Sequence, residues 1–272
     1  MTWAPAFLSN PERFMAFSRW AAPMFGVIAL ALAAWGLYLG FAAPEDYQQG
    51  QTVRIMFIHV PAAWLASFVY VCLAGASFLS LIFRHALADA AAQAAAPLGA
   101  GFTLLALVTG SLWGRPMWGA YWVWDARLTS VLVLFLLYVA YVALRASMDD
   151  EQKAARAGAI LALVGAVNLP IIHYSVDWWN TLHQGSSVFR EGGPTLAPVF
   201  LQPLLIMALA YMSAFGSLWL VRIRGEVWRR RAEAAALRAA RGPGTGGSRC
   251  SISSTPSSSS RPSPSPSWCS PR

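Results

Sequence analysis

The stretch WGRPMWGAYWVWDARLTSVLVLFLLYVAYVALRA, residues 113–146, sets two kinds of sequence side by side. From Ser130 to Ala146 it is apolar up to Arg145, and crossing a bilayer takes about 20 largely apolar residues. From Trp113 to Trp124 it packs four tryptophans into twelve residues and then turns at once to Asp125 and Arg127. Working outward, five more segments are apolar enough to span: Trp20–Phe41, Ala62–Phe83, Ala96–Trp113, Ala157–Tyr174 and Ala197–Val221. The pattern predicts an all-α polytopic membrane protein with six transmembrane helices and a Trp-rich external interfacial helix or loop. Composition agrees: 57% of residues are hydrophobic and 12% charged, against about 25% charged in an ordinary soluble domain. Mean hydropathy is +0.48. A soluble globular enzyme is excluded.

The first span is expected to be a retained anchor rather than a signal peptide, being too long for an h-region and lacking a small-residue cleavage site. Orientation follows from the basic residues. With the N-terminus cytoplasmic, sixteen of the 20 Lys and Arg fall inside, and Arg54, Arg115, Arg127 and Arg190 fall outside. The net charge of +8 is thus mostly topogenic, with a contribution to anionic-lipid contact after the last span. It does not call for nucleic acid. The expected organisation is a cytoplasmic N-terminus (1–19), a six-span membrane domain (20–225) with the Trp-rich segment 113–127, a basic cytoplasmic helix end (226–241) and a disordered Ser/Pro-rich tail (242–272). Cys250 and Cys269 lie in that tail and Cys72 lies in a span, so neither a disulfide framework nor a zinc site is indicated.

Polar and aromatic residues gather in the three outer loops. RIMFIHVPAAW (54–64) carries Arg54, His59, Pro61 and Trp64, with Pro61 expected in the first turn of the second span. SVDWWNTLHQGSS (175–187) carries Asp177, Trp178, Trp179 and His183. Six of the 13 tryptophans sit in the second and third outer loops, whereas an aromatic belt would mark both faces of the membrane. If residues 118–127 form a surface helix, Trp118, Tyr121, Trp122 and Asp125 share one face, while Trp113 and Trp124 point elsewhere. Such a face is a platform for a large planar guest with a polar periphery.

Neutral imidazole is a good ligand for transition metals. Two imidazoles leave a bare ion undercoordinated but complete the axial positions of iron already held in a porphyrin. His59 and His183 are the candidates. His85 reads as an interface residue and His173 as a helix-packing one. Pro170 should kink the fifth span, with Asn168 satisfying a freed backbone group. Arginine pairs bidentately with carboxylates such as haem propionates, which makes Arg54 and Arg127 candidates. Arg115 is expected to brace the turn around Gly114 and Pro116. Asp125 reads as a loop brace and, secondarily, as a direct contact.

With WGRPMWGAYWVWDARLTS, RIMFIHVPAAW and SVDWWNTLHQG together, the chain resembles the haem exporter protein C family, members of the WWD-signature haem-handling membrane proteins of cytochrome c maturation. The resemblance covers about residues 10–225. Longer synthase relatives continue the signature as WD then Pro and Glu, where this chain reads WDARLTS. The resemblance implies His59 and His183 as external axial ligands of haem b, bound non-covalently and transiently, with Trp113, Trp118, Trp122 and Trp124 at its face. It implies delivery to a periplasmic haem chaperone. Further implied partners are an ABC-type ATPase and permease and a small single-span accessory subunit, all at the bacterial inner membrane with both termini cytoplasmic. The chain has no Gly-x-x-x-x-Gly-Lys-Ser/Thr for ATP and no Cys-x-x-Cys-His for covalent haem, so a delivery protein rather than an enzyme is expected. The competing readings are a b-type membrane cytochrome in quinone-linked electron transfer and a permease subunit merely anchored by its tryptophans.

Overall fold

The computed structural model describes residues 10–240 except 184 and 186. The tail from 242, with Cys250 and Cys269, lies outside the described residues, as do residues 1–9 and Arg241. All regular structure among the described residues is helical, and six helical stretches are long and apolar enough to cross a membrane. This is an all-α polytopic membrane protein.

Helix α1 runs Pro11–Ala42. The Asn10 side chain accepts from the Glu12 N–H at 2.9 Å and Pro11 opens the helix, so two features that favour a start coincide. A 3-10 turn, Gln51–Ile55, leads into α2, Met56–Phe83. α2 begins earlier than hydropathy predicts because Met56 and Phe57 are buried against Leu204 and Met207. Pro61 therefore lies inside the helix, not in its first turn. α3 is Ala86–Trp118, capped by His85, whose Nδ1 accepts from the Ala88 N–H at 3.2 Å. α4 is Ala126–Ala146 and α5 is Glu151–Gly165. α6 is Asn168–Trp178 and α7 is Pro198–Ala240.

α5 and α6 together make the fifth span, broken at Ala166 and Val167. The break falls four residues before Pro170, where a proline ring collides with the helical carbonyl and offers no N–H. Asn168 does not serve the broken helix, as was expected of it. It is buried and donates to the Ser130 carbonyl of α4 at 2.9 Å. α1 thus begins before the apolar stretch of the first span, and α7 continues past that of the last to Ala240.

By its packing the chain divides into Met1–Arg231 and Ala232–Arg272. In the second unit the described part is the helical stretch to Ala240. In the first, α2 and α3 form the most extensive pairing, with α4 and α5 packed on them. Tyr70, Tyr138, Leu73 and Leu134 are completely buried there, against small residues Ala92, Ala95 and Ala96. The Tyr138 ring lies directly on Gly99, where any Cβ would collide with it, and its hydroxyl donates to the Ala66 carbonyl at 2.8 Å. Gly99→Ala should therefore destabilise by about 1–3 kcal/mol through overpacking, despite the better helix propensity of Ala. Equilibrium unfolding in detergent checks this, with an unchanged midpoint refuting it.

At the end of the bundle where α3 begins, Asp89 accepts two bonds from Arg145, at 2.6 and 3.1 Å, and another from Arg230. Gln93 accepts from Arg145 at 3.1 Å. Arg231 pairs with Glu12 at 2.7 Å, and Glu226 accepts from Arg230 at 2.7 Å. Several basic residues read from sequence as topogenic thus also hold helices together.

Candidate functional site

At the opposite end of the first unit, α2, α3, α4, α6 and the loop after α6 surround a cavity of about 1530 Å³. Small-molecule pockets usually measure roughly 300–1,000 Å³. The space is therefore ample for a large, flat guest.

His59 reaches the cavity from α2. Its Nδ1 lies 3.0 Å from the Ala106 carbonyl and 3.1 Å from the Thr109 hydroxyl oxygen. A carbonyl can only accept, and the Thr109 hydroxyl donates to Leu105 at 2.6 Å. Nδ1 therefore carries the proton, and Nε2 keeps a free lone pair. Gly110 gives this ring its seat: a Cβ there would stand 2.8 Å from His59 Cε1. Trp113 meets the ring edge-on at 5.7 Å, and its Nε1–H donates to Gln49 at 3.1 Å. Trp113 lines the cavity, against the expectation that it would face away, because α3 continues as a helix through it to Trp118.

His183 comes from the loop after α6 and meets Trp118 edge-on at 5.0 Å. Its Nδ1 is buried without a hydrogen bond, 3.7 Å from Asp125 Oδ2. That spacing is too long for a hydrogen bond. Burial is the main influence on its pKa and lowers it from the usual histidine value; Asp125 opposes the shift and Arg127 adds to it. The neutral, ligating form is the one favoured near neutral pH.

The expected surface helix over 118–127 does not form. Gly119 takes φ +77°, a left-handed conformation that favours glycine, and its N–H closes α3 on the Arg115 carbonyl at 3.0 Å. Residues 122–125 have no regular structure, and Asp125 then caps α4 by accepting from the Leu128 N–H at 2.7 Å. Trp118 and Trp122 still line the cavity, although they share no helical face. Trp122 Nε1 is buried without a partner. Trp124 is 74% exposed and packs edge-on against Trp122 at 5.5 Å, outside the cavity wall. Tyr121 is exposed too, under the Arg115 guanidinium. Arg115 also donates to the Gly119 carbonyl at 3.0 Å, bracing that turn.

Asp125 stands behind the cavity wall. Besides capping α4 it accepts from the Leu182 N–H at 3.2 Å, which ties the His183 loop to the start of α4. Arg127 lines the cavity, with Nε bonded to the Ser175 hydroxyl at 3.1 Å and Nη2 to the Ile172 and His173 carbonyls at 3.3 and 3.1 Å. Arg54 does not reach the wall. It sits on the 3-10 turn with its guanidinium over the Phe41 ring of α1 at 5.9 Å. His173, expected to make a packing hydrogen bond, lines the cavity and touches Tyr174 edge-on at 4.7 Å. Among the described residues no three His, Cys, Asp or Glu side chains converge as a metal site.

Thr109, Gly110, Gln49, Trp64 and Arg190 were not among the site residues expected from the sequence; all but Thr109 line the cavity. The run VTGSLWG (108–114) was the available signal, since small and polar residues inside an apolar span mark close approach.

The cavity thus gathers three imidazoles, those of His59, His173 and His183, with an indole beside the first and the last. A family model described as Heme exporter protein C matches residues 5–238. The chain belongs to the heme exporter protein C family. Family members similar to it include Heme exporter protein C of Bradyrhizobium diazoefficiens, 58% identical over 224 residues, covering 82% of this chain and 85% of that one. Heme exporter protein C of Escherichia coli K12 is 46% identical over 218 residues, covering 80% and 88%. The protein of that name from Paracoccus denitrificans is 44% identical over 224 residues, covering 82% and 93%.

Proposed function

We propose that this chain binds haem b non-covalently at the outer face of the bacterial inner membrane and delivers it to a periplasmic haem chaperone for c-type cytochrome biogenesis. Both termini are then cytoplasmic, a placement that the distribution of Lys and Arg favours. The observation that carries the reading is the meeting of His59 and His183 on one cavity lined by indoles, where no three His, Cys, Asp or Glu side chains among the described residues converge as a bare-metal site. Two axial imidazoles suit iron whose equatorial positions are already filled.

The residues divide the work. His59 offers Nε2 from a ring fixed by Ala106 and Thr109 on two packed helices. His183 offers the second nitrogen from a loop. Trp113, Trp118 and Trp122 supply apolar surface, and the unpartnered Nε1–H of Trp122 can donate to a polar edge of the guest. Arg127 keeps a positive charge on the wall for a carboxylate-bearing periphery. The partners of this reading are the chaperone, an ABC-type ATPase and permease, and a small single-span subunit. The chain acts as a delivery component, and the ATPase supplies the hydrolysis.

The b-type cytochrome reading needs a second histidine pair toward the other side of the bilayer. Of the 4 histidines, three line the outer cavity and His85 caps α3 at the other end. That distribution favours one haem per chain.

The test is the absorption spectrum of the purified full-length chain titrated with haemin. The wild type should give a low-spin, bis-imidazole Soret spectrum. His59→Ala and His183→Ala should each lose it. A low-spin spectrum surviving in both variants overturns the assignment. Trp118→Leu with Trp122→Leu separates platform from anchor: haem retention or chaperone loading should fall, whereas a mere anchor would tolerate the change.

A further inference from the structure

The two histidines are supported differently. Nδ1 of His59 bonds to neutral oxygens, the Ala106 carbonyl and the Thr109 hydroxyl. Nδ1 of His183 is buried and unsatisfied, and the charged oxygen beside it is Asp125 Oδ2, 3.7 Å away. The Asp125 side chain is only 6% exposed. Its carboxylate is fixed from two directions, Oδ1 by the Leu128 N–H at 2.7 Å and Oδ2 by the Leu182 N–H at 3.2 Å. The second bond holds the residue immediately before His183. An approach of about 0.7 Å would bring the pair within the usual N–H···O range of about 3.0 Å. A buried Nδ1–H without an acceptor is costly, and closing this gap removes that cost.

We propose that Asp125 is the positioning residue of His183, its carboxylate accepting the Nδ1–H when the ring is engaged through Nε2. The proposal rests on the haem reading above. It turns a loop brace into part of the ligand set, since a carboxylate behind a ligating imidazole fixes the tautomer, aims the ring and raises its basicity. With haem held between the two rings, His183, backed by a negative charge, would be the stronger donor and would favour ferric iron; His59, backed by neutral oxygens, would be the ordinary one.

Asp125→Asn is the decisive variant, because Asn is as good a helix N-cap as Asp and leaves α4 capped. In the full-length chain, haem affinity should fall about 10- to 100-fold. The reduction midpoint of the haem that still binds, followed spectroscopically, should move upward while the low-spin spectrum persists. Asp125→Glu should restore part of both. Gly101→Ala, on α3 where a Cβ meets nothing within 4 Å, should leave the midpoint unchanged. An unchanged midpoint in Asp125→Asn with an intact bis-imidazole spectrum overturns the proposal.

A readout without haem keeps the two ideas separable. Nitrogen NMR of the histidine-labelled apoprotein, with His183→Gln to assign the signal, should find His183 protonated at Nδ1 in the wild type and a tautomer mixture in Asp125→Asn. If the wild type gives no bis-imidazole spectrum, the haem reading fails, and this comparison still reports on the pair. Identical tautomer populations in the two apoproteins overturn the pairing itself.

Discussion

Asp89→Ala should lower the stability of the folded chain by about 3–5 kcal/mol, the cost typical of stranding a buried charge. The Asp89 and Arg145 side chains are 9% and 5% exposed, and Arg145 grips the carboxylate with two nitrogens. Arg230 approaches the same carboxylate from α7. Removing it leaves two guanidiniums close together. Arg145 would keep only Gln93, and Arg230 would lean on Glu226. Equilibrium unfolding in detergent measures the loss. Adding Arg145→Met should recover part of it, because the double variant no longer buries that cation. A loss below about 1 kcal/mol for Asp89→Ala would mean that the cluster behaves as an exposed surface pair.

Gly110→Ala should have the opposite profile, weak on folding and strong on the site. Ala is the better helix residue by up to about 1 kcal/mol, so stability should hold or rise. The new Cβ, however, would lie 2.8 Å from His59 Cε1 and 3.3 Å from Nδ1. The ring must then swing off α3 and give up the Ala106 carbonyl that fixes its tautomer. We expect haem affinity to drop about 10- to 100-fold, the usual scale for losing the support of a ligand, with the spectrum moving toward high spin. Gly101 is the control on the same helix, since a Cβ there meets nothing within 4 Å. Equal haem binding by Gly110→Ala and Gly101→Ala would dismiss the role given to the His59 seat.

The six spans were legible because hydropathy is the property that a bilayer selects. Their ends were not. The third was read as 96–113, yet α3 covers Ala86–Trp118, since the caps His85 and Gly119 rather than the hydrocarbon limits decide where the helix stops. The capping signals that forbid a surface helix were in the sequence as well: a glycine after Trp118, and an aspartate just before the apolar run of α4. A helical wheel of the tryptophans does not register them. His59, His183, Trp118, Trp122 and Arg127 come to one cavity from segments that the sequence assigns to the three outer loops. Arg54 could not be placed by sequence distance, because its position depends on α1 offering Phe41. Thr109 and Gly110 were marked only as a place of close approach, without a partner, for a related reason. Their contact with His59 depends on the register between α2 and α3, which no local pattern encodes.

The way Arg127 is held has a wider consequence. Its partners, a serine hydroxyl and two carbonyls in the C-terminal half of α6, are neutral dipoles. Asp125, two residues earlier, is likewise held by backbone N–H groups. Here the backbone plays the part of water, keeping two opposite charges in a sheltered place without letting them cancel. No carboxylate has to be evicted before an anionic guest can meet Arg127. A carrier that must let go of its load gains from this, because loading and unloading then leave its own ion pairs intact.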